Sequence, residues 1–122
     1  MRLFIADDSD ILRSRLVDML EEIEGVHIVG QAREASEAVE SIEALDPDVV
    51  IMDIRMPDRD GIYALEAIRK KLRSRPKVII FTNYPYLQYQ KRCMDIGADF
   101  FFYKALEFEN LIKLIRDLAS NS

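Results

Sequence analysis

The sequence predicts a doubly wound α/β fold, in which a five-stranded parallel sheet carries helices on both of its faces. Three observations predict it. Short apolar runs that lack the alternation of half-exposed strands recur along the chain, and segments with one apolar stripe at helical spacing separate them. Glycine and proline punctuate the joins. The predicted architecture is a three-layer sandwich, and a chain of 122 residues suffices for one such domain.

The predicted strands are mostly β-branched or aromatic, and we interpret all of them as buried on both faces. They are residues 3–6, 26–29, 49–52, 78–81 and 100–103. Parallel strands are joined by right-handed helical crossovers, and 2-1-3-4-5 is the strand order expected for this arrangement.

A helix is predicted after each strand, and four of the five helices have a clear apolar stripe. The stripes are Leu12, Leu16, Met19, Leu20 and Ile23; Ala38, Val39, Ile42 and Leu45; Leu65, Ile68 and Leu72; and Leu111, Ile112, Ile115 and Leu118. The fourth helix, residues 86–96, has no single stripe, so its buried side is not predicted. Ser9 or Asp10 can cap the first helix, Gly25 can end it, and Gly97 can close the fourth.

Composition excludes several classes of function. Lys and Arg total 17 against 22 for Asp and Glu, and the net charge of -5 argues against direct binding of nucleic acid or of a membrane surface. Cys93 is the one cysteine, so no internal disulfide forms. Acidic residues stand where a secretory signal needs an apolar stretch, and no apolar run approaches the roughly 20 residues of a membrane helix. We expect a cytoplasmic protein with protein partners.

Polar and charged side chains stand at the ends of four predicted strands. Asp7 and Asp8 follow the first strand, Asp53 the third, Thr82 the fourth and Lys104 the fifth. Because parallel strands deliver their last residues to the same edge of a sheet, these side chains are expected to meet in one cleft.

The three carboxylates suit a hard divalent cation. Neighbouring ionised carboxylates repel one another, and Mg²⁺ prefers oxygen ligands, so Asp7, Asp8 and Asp53 are the predicted magnesium ligands. A zinc site would need Cys and His ligands that the chain lacks. Taken alone, Asp8 suits the cap of the first helix equally well.

Asp53 stands where a buried strand enters a loop punctuated by proline and glycine. A carboxylate held there suits a nucleophile that attacks phosphorus to form an acyl phosphate. Lys104 can neutralise the transferred group, and the Thr82 hydroxyl can donate to it. Taken singly, Thr82 is also an ordinary strand residue and Lys104 an ordinary solvated strand end.

This ordered set of residues resembles the receiver domains of two-component response regulators, in particular the single-domain, chemotaxis-regulator-like ones. The matching residues are Asp7-Asp8, Asp53-Ile54-Arg55-Met56-Pro57, Asp60-Gly61, Thr82, Gly97-Ala98 and Lys104. The resemblance runs from Met1 to about Ala119. It implies a flavodoxin-like fold and one receiver domain over residues 1–122. A freestanding relay protein is the direct interpretation, although a receiver domain excised from a longer protein would have the same sequence.

The resemblance also implies roles for individual residues. Asp53 is the implied phosphoacceptor, which takes its phosphoryl group from the phosphohistidine of a histidine kinase or a phosphotransfer protein. Mg²⁺ is implied to be held by Asp8, Asp53 and the backbone carbonyl of Arg55, with Asp7 acting partly through water.

A switch is implied as well. Thr82 and Lys104 engage the phosphoryl oxygens, Thr82 is drawn inward, and the aromatic residue Phe101 on the fifth strand changes rotamer. The implied output surface comprises the fourth helix, fifth strand and fifth helix, where phosphorylation changes the docking of a downstream protein or forms a homodimer.

Three residues depart from the family pattern. Phe101 has no hydroxyl, so its movement is expected to be purely steric. Ala105 stands where the family usually has a proline, often in a cis peptide, and we predict a trans bond before it because a non-proline cis bond costs about 3–4 kcal/mol. Asn83 is bulkier than the small residue common at its position, and this bulk restricts the aromatic movement.

Two other functions remain open from the sequence. One is an aspartate-nucleophile phosphohydrolase with Asp8 and Asp10 as its acid pair, for which Glu107 and Glu109 are the sole candidates for the further acids required after Lys104. The other is a phosphorylation-independent, receiver-like interaction module with a vestigial pocket.

Overall fold

The computed structural model describes residues 1–121, within which five strands and five helices alternate. The strands are β1 (Arg2–Ala6), β2 (His27–Ala32), β3 (Val49–Met52), β4 (Lys77–Thr82) and β5 (Phe100–Tyr103). The helices are α1 (Asp10–Glu21), α2 (Ala35–Leu45), α3 (Gly61–Lys71), α4 (Leu87–Ile96) and α5 (Lys104–Ser120). Within these residues, no helix combines the length and apolar character needed to cross a membrane.

The sheet confirms the predicted topology. Every pair of neighbouring strands is parallel, and the order is β2-β1-β3-β4-β5. The register places Ala6 opposite Met52 and Thr82 opposite Tyr103. The carboxyl ends of β1, β3, β4 and β5 therefore lie along one edge, and the residues that follow these strands become neighbours.

Helices cover both faces of the sheet. Phe4 points into a core shared with α2, α3 and α4, whereas the next residue, Ile5, points into a core shared with α1 and α5. Successive side chains of a strand face opposite ways, and here both directions lead into apolar packing. This is why the central strands read as unbroken apolar runs and not as alternating ones.

The prediction that every strand is buried on both faces is wrong for the two edge strands. Only the first residues of β1 and β4 are exposed, and β3 is buried throughout. By contrast, β2 exposes His27 and Gln31, and all of β5 is half-buried. An edge strand has a neighbour on one side only, so the covering helices protect it less. In addition, β2 ends at Ala32, beyond the predicted 26–29.

The punctuation of α1 is partly as predicted. Ser9 caps the helix, because its side chain accepts the N–H of Leu12. The helix ends at Glu21, however, and Gly25, with φ +87°, lies in the turn beyond it. Met19 is 36% exposed although it belongs to the predicted apolar stripe. The face of α1 that the sheet covers is therefore narrower than the sequence pattern suggests. At the end of α4, Gly97 closes the helix as predicted.

Candidate functional site

The side chains predicted at the strand ends do converge. Asp7 follows β1, Asp53 follows β3, Thr82 is the last residue of β4, and Lys104 directly follows β5 and begins α5. One carboxylate oxygen from each of Asp7, Asp8 and Asp53 lies within 4.8 Å of the others, and we call these three residues the acidic cluster. Asp7 and Asp53 are buried, at 3% and 5% exposure, whereas Asp8 is exposed.

Lys104 bridges two members of the acidic cluster. Its Nζ lies 2.6 Å from Asp7 Oδ2 and 2.8 Å from Asp53 Oδ2. Burial disfavours the ammonium, but the attraction of Asp53 and the hydrogen bonds to both carboxylates outweigh it, so the pKa of Lys104 is raised. The lysine is therefore charged at neutral pH and placed where further negative charge on Asp53 would meet it.

Asp7 is a member of the acidic cluster, and its pKa is raised. Burial raises its pKa above the ordinary value, although hydrogen bonds from Lys104 and from the Ser9 N–H oppose this effect. The Ser9 N–H donates to Asp7 Oδ1 at 2.9 Å, and Arg13 donates to the Asp7 carbonyl at 2.6 Å. An ionised Asp7 is thus costly even with Lys104 beside it, and three clustered carboxylates provide the oxygen donors that Mg²⁺ takes.

Asp53 is fixed by its own backbone and by α3. Its Oδ1 accepts the Ile54 N–H at 2.7 Å, which leaves Oδ2 directed at Lys104. Gly61, the first residue of α3, donates its N–H to the Ile54 carbonyl at 2.6 Å. A Cβ on Gly61 would lie 2.1 Å from the Asp53 carbonyl oxygen, so only glycine allows α3 to begin this close to Asp53.

Thr82 lies fully buried at the end of β4. Its Oγ1 accepts the Tyr84 N–H at 3.2 Å, which leaves the hydroxyl proton available for a further acceptor. Phe101, two positions before Tyr103 on β5, is half-buried, and the two rings meet edge-on with centroids 5.3 Å apart. Phe101 also packs against the core shared with α2, α3 and α4.

Arg55 is exposed beside the acidic cluster. Its guanidinium carbon lies 5.2 Å from the centre of the Tyr84 ring, and both residues line a cleft of about 230 Å³ together with Asp60 and Tyr89. The Arg55 N–H points at Asp53 Oδ1 at a long 3.4 Å. The residue thus stands at the mouth of the site, with its side chain packed on an aromatic ring from the β4–α4 loop.

Two contacts around the site were not anticipated from the sequence. The Ala105 N–H donates to Asn83 Oδ1 at 3.0 Å. The Lys104–Ala105 peptide bond is trans, as predicted. Asp58 accepts the N–H groups of Ala35 and Ser36, and so ties the loop after Asp53 to the start of α2. Each contact joins a loop to the start of a helix that is distant in sequence, and no local sequence pattern predicts such a bond.

The acids after Lys104 do not enlarge the acidic cluster. Glu107 accepts the Tyr103 N–H at 2.8 Å, and Glu109 is exposed on α5. Within residues 1–121, the group that could hold a metal consists of Asp7, Asp8 and Asp53 alone. The further acidic pair that a phosphohydrolase of this type needs is therefore missing from the site.

The sequence matches the response regulator receiver domain family over residues 3–116. The chain belongs to this family. Receiver domains are the phosphoacceptor signalling modules of two-component systems, and the present receiver domain has their sheet order and helix arrangement. The sequence-based expectation of fold and family is thus confirmed.

Particular relatives agree with this assignment. The receiver domain is 37% identical over 120 residues to the response regulator GacA of Pseudomonas aeruginosa, covering 97% of this chain and 55% of that protein. It resembles the response regulator domain of Thermotoga maritima CheB, with a TM-score of 0.87, 30% identity and coverage of 99% and 94%. It also resembles a chain of the CheX–CheY–BeF3–Mg²⁺ complex from Borrelia burgdorferi, with a TM-score of 0.85, 28% identity and coverage of 97% and 88%. The chain spans about half the length of the curated relatives it matches.

Proposed function

We propose that Asp53 is the phosphoacceptor of this receiver domain. The observation that carries the proposal is the Lys104 ammonium, which lies 2.6 and 2.8 Å from two members of a cluster of three carboxylates. Asp53 is rigidly held, and its Oδ2 faces this positive charge. Such an arrangement favours the reversible addition of negative charge at Asp53.

Mg²⁺ is the proposed cofactor, held by Asp7, Asp8, Asp53 and the backbone carbonyl of Arg55. The donor set fits, because hard oxygen ligands from clustered carboxylates are those that Mg²⁺ takes in phosphoryl-transfer sites. When bound, the ion offsets negative charge on the transferring phosphoryl group. It would also offset the cost of burying an ionised Asp7 and the smaller repulsion from Asp53.

The proposed reaction moves one phosphoryl group. A carboxylate oxygen of Asp53 attacks the phosphorus of a phosphohistidine on a histidine kinase or phosphotransfer protein. The phosphorus–nitrogen bond breaks, its electron pair stays on the imidazole, and the imidazole takes a proton from water. The product is an acyl phosphate, and attack by water later returns inorganic phosphate and the Asp53 carboxylate. Lys104 neutralises the phosphoryl oxygens, and the Thr82 hydroxyl donates to one of them.

The proposed output is a change in protein binding at α4, β5 and α5, with homodimer formation as one form of it. This surface exposes Leu87 at 72%, Leu106 at 84% and Tyr86 at 51%. Movement of Thr82 and Phe101 would reach this surface directly, because Phe101 lies on β5 and Thr82 ends the neighbouring strand β4. We also propose that this receiver domain acts in the cytoplasm.

Incubation with acetyl phosphate and Mg²⁺ tests the proposal. We expect the wild type to gain the mass of one phosphoryl group and Asp53→Asn to gain none, because the amide is not a nucleophile. Intact-mass spectrometry makes the measurement, and Asp117→Asn, a change at an exposed carboxylate on α5, serves as the control that retains the gain.

Two outcomes would count against the proposal. A wild type that gains no phosphate from acetyl phosphate and also fails to bind beryllofluoride with Mg²⁺ would favour the phosphorylation-independent module. Equal phosphate incorporation in Asp53→Asn would move the acceptor to another residue.

A further inference from the structure

The two departures from the family pattern that flank the site are bonded to each other. Asn83 directly follows Thr82, Ala105 directly follows Lys104, and Asn83 Oδ1 accepts the Ala105 N–H at 3.0 Å. The β4–α4 loop is thereby tied to the first turn of α5. A proline in place of Ala105 would have no N–H, so the bond requires a residue other than proline at this position.

The first turn of α5 needs this acceptor. The first N–H groups of a helix have no partner within the helix, and a side-chain oxygen at the N-cap usually takes one of them. The N-cap of α5 is Tyr103, whose side chain makes no such bond. Asn83 supplies the missing oxygen from another loop, and Ala105 is the second helical residue, where a capping oxygen commonly binds.

The cap acts on a turn that is separate from the rest of α5. Glu107 has non-helical dihedral angles, φ -127° and ψ 23°, so the helix is interrupted just after its first turn. Two contacts then hold that turn: Glu107 accepts the Tyr103 N–H at 2.8 Å, and Asn83 accepts the Ala105 N–H. Lys104 lies between the two bonded positions.

We propose that Asn83 is a positioning residue that caps the first turn of α5 and so holds the Lys104 ammonium against the acidic cluster. The inference rests on the proposed function for its consequence, since Lys104 is the group that meets the phosphoryl oxygens. Asn83 touches neither the phosphoryl group nor the cation and acts through Lys104 alone. It also couples Lys104 to the loop that begins directly after Thr82, so the two groups move together.

The first test needs no ligand. In Asn83→Ala, NMR hydrogen exchange of the Ala105 amide is expected to become about tenfold faster, because one hydrogen bond is lost. The slowly exchanging ¹H–¹⁵N signal of the Lys104 ammonium is expected to broaden. Asn110→Ala, at an exposed asparagine on the same helix, is the matched control and should leave both signals unchanged. Unchanged exchange and an unchanged ammonium signal in Asn83→Ala would overturn the proposal.

The second test uses beryllofluoride at saturating Mg²⁺. We expect Asn83→Ala to weaken beryllofluoride affinity about threefold to tenfold, the effect of one hydrogen bond. Affinity for Mg²⁺ alone should change less than about twofold, because the acidic cluster is not touched. Equal loss of both affinities would mark a general structural defect and overturn the positioning role.

The Ala105→Pro background decides whether the bond itself is responsible. Proline suits the first turn of a helix and has no N–H to cap. In that background, Asn83→Ala is expected to change beryllofluoride affinity less than about twofold, and an undiminished effect would refute the capping mechanism. If the wild type binds no beryllofluoride, the proposed function fails, whereas the amide exchange and the ammonium signal still decide the inference.

Discussion

At the scale of single residues, the buried Asp7 carboxylate is a group of the site whose ionisation opposes folding. Burial raises the pKa of Asp7 above its ordinary 3.8, so the folded protein holds the Asp7 proton more tightly than the unfolded chain does. The stabilising contribution of this group is therefore present below the unfolded pKa and is lost as pH rises through the folded pKa. At neutral pH the ionised Asp7 lowers the free energy of unfolding. Its presence is therefore explained by function and not by stability.

Asp7→Asn is expected to stabilise the protein in buffer without Mg²⁺. Removal of the buried charge should raise the free energy of unfolding by about 1 kcal/mol at neutral pH. The gain should be smaller at an acidic pH than at neutral pH, because the raised pKa of Asp7 lets the wild-type carboxyl take up its proton as the pH falls. Urea unfolding at the two pH values measures the difference, and the exposed Asp117→Asn should show little change. A variant less stable than wild type at neutral pH would contradict the expectation.

The same substitution separates stability from ligand binding. Mg²⁺ that binds only the folded state stabilises the wild type by mass action, about 2.7 kcal/mol at a concentration one hundred times the Kd. Asp7→Asn removes one ligand of the acidic cluster, so this added stabilisation should largely disappear. A variant that is more stable alone and less responsive to Mg²⁺ is the combined signature expected.

At the scale of the elements, Gly61 sets how closely α3 approaches the end of β3. The helix begins with Gly61 bonded to the Ile54 carbonyl and nearly in contact with the Asp53 backbone. Asp60 caps the helix by accepting the Tyr63 N–H at 2.9 Å. The Asp60-Gly61 pair thus starts α3 and at the same time supports the peptide that carries Asp53.

Gly61→Ala is expected to damage both packing and chemistry. A Cβ 2.1 Å from a backbone oxygen forces α3 or the Asp53 peptide to shift, which should cost about 1–3 kcal/mol of unfolding free energy and slow phosphate incorporation from acetyl phosphate. Gly30→Ala is the matched control: its Cβ meets the Leu45 and Phe4 side chains far from the site, so stability falls while incorporation is kept. Normal incorporation in Gly61→Ala would contradict this account.

The element pattern shows how far sequence reasoning reaches. The central strands β1, β3 and β4 were predictable because unbroken apolar runs record burial on both faces. The limits of β2 were not, since the exposed Gln31 hides the continuation of an edge strand. The end of α1 was misplaced because Gly25 fits a helix end and a turn equally well, and only packing decides between them.

The site residues, like the helices and strands, could be predicted from the sequence only in part. Asp7, Asp8, Asp53, Thr82 and Lys104 could be placed together because sheet topology fixes where strand ends meet. The bond from Ala105 to Asn83 could not be predicted, because it depends on how the β4–α4 loop lies relative to the first turn of α5. Nor could Arg69, which bonds to the carbonyls of Pro76 and Gly97 and pairs with Asp99 at 3.0 Å.

At the scale of the whole molecule, two cores lie on either side of one sheet, and the helices that cover them are buried to different extents. The core on one face ends in α4, of which Cys93 is the one buried residue. Burial raises the pKa of the Cys93 thiol to about 11, so it acts there as an apolar side chain. A helix held by so little buried surface is suited to move when Thr82 and Phe101 move.

Hydrogen exchange measured by mass spectrometry tests this difference between the helices. With Mg²⁺ and beryllofluoride, we expect exchange to change in α4 and β5, because the proposed switch passes through those elements. Exchange in α2, which packs away from them against α3, should stay the same. Comparison with Asp53→Asn under identical conditions is the control. Changes confined to the acidic cluster and its loops would refute the proposed output surface.

The interruption at Glu107 separates the backbone that carries Lys104 from the main part of α5. Lys104 lies in the single helical turn before the break at Glu107. The longer part of α5 follows the break and is anchored by the buried side chains of Leu111 and Ile115. A newly arrived charge that draws the ammonium would therefore move this turn together with the Asn83 loop that is bonded to it. The exposed Leu106 lies in the same turn and would move with it, so the proposed output surface would respond at the start of α5 while the buried part of the helix stays in place.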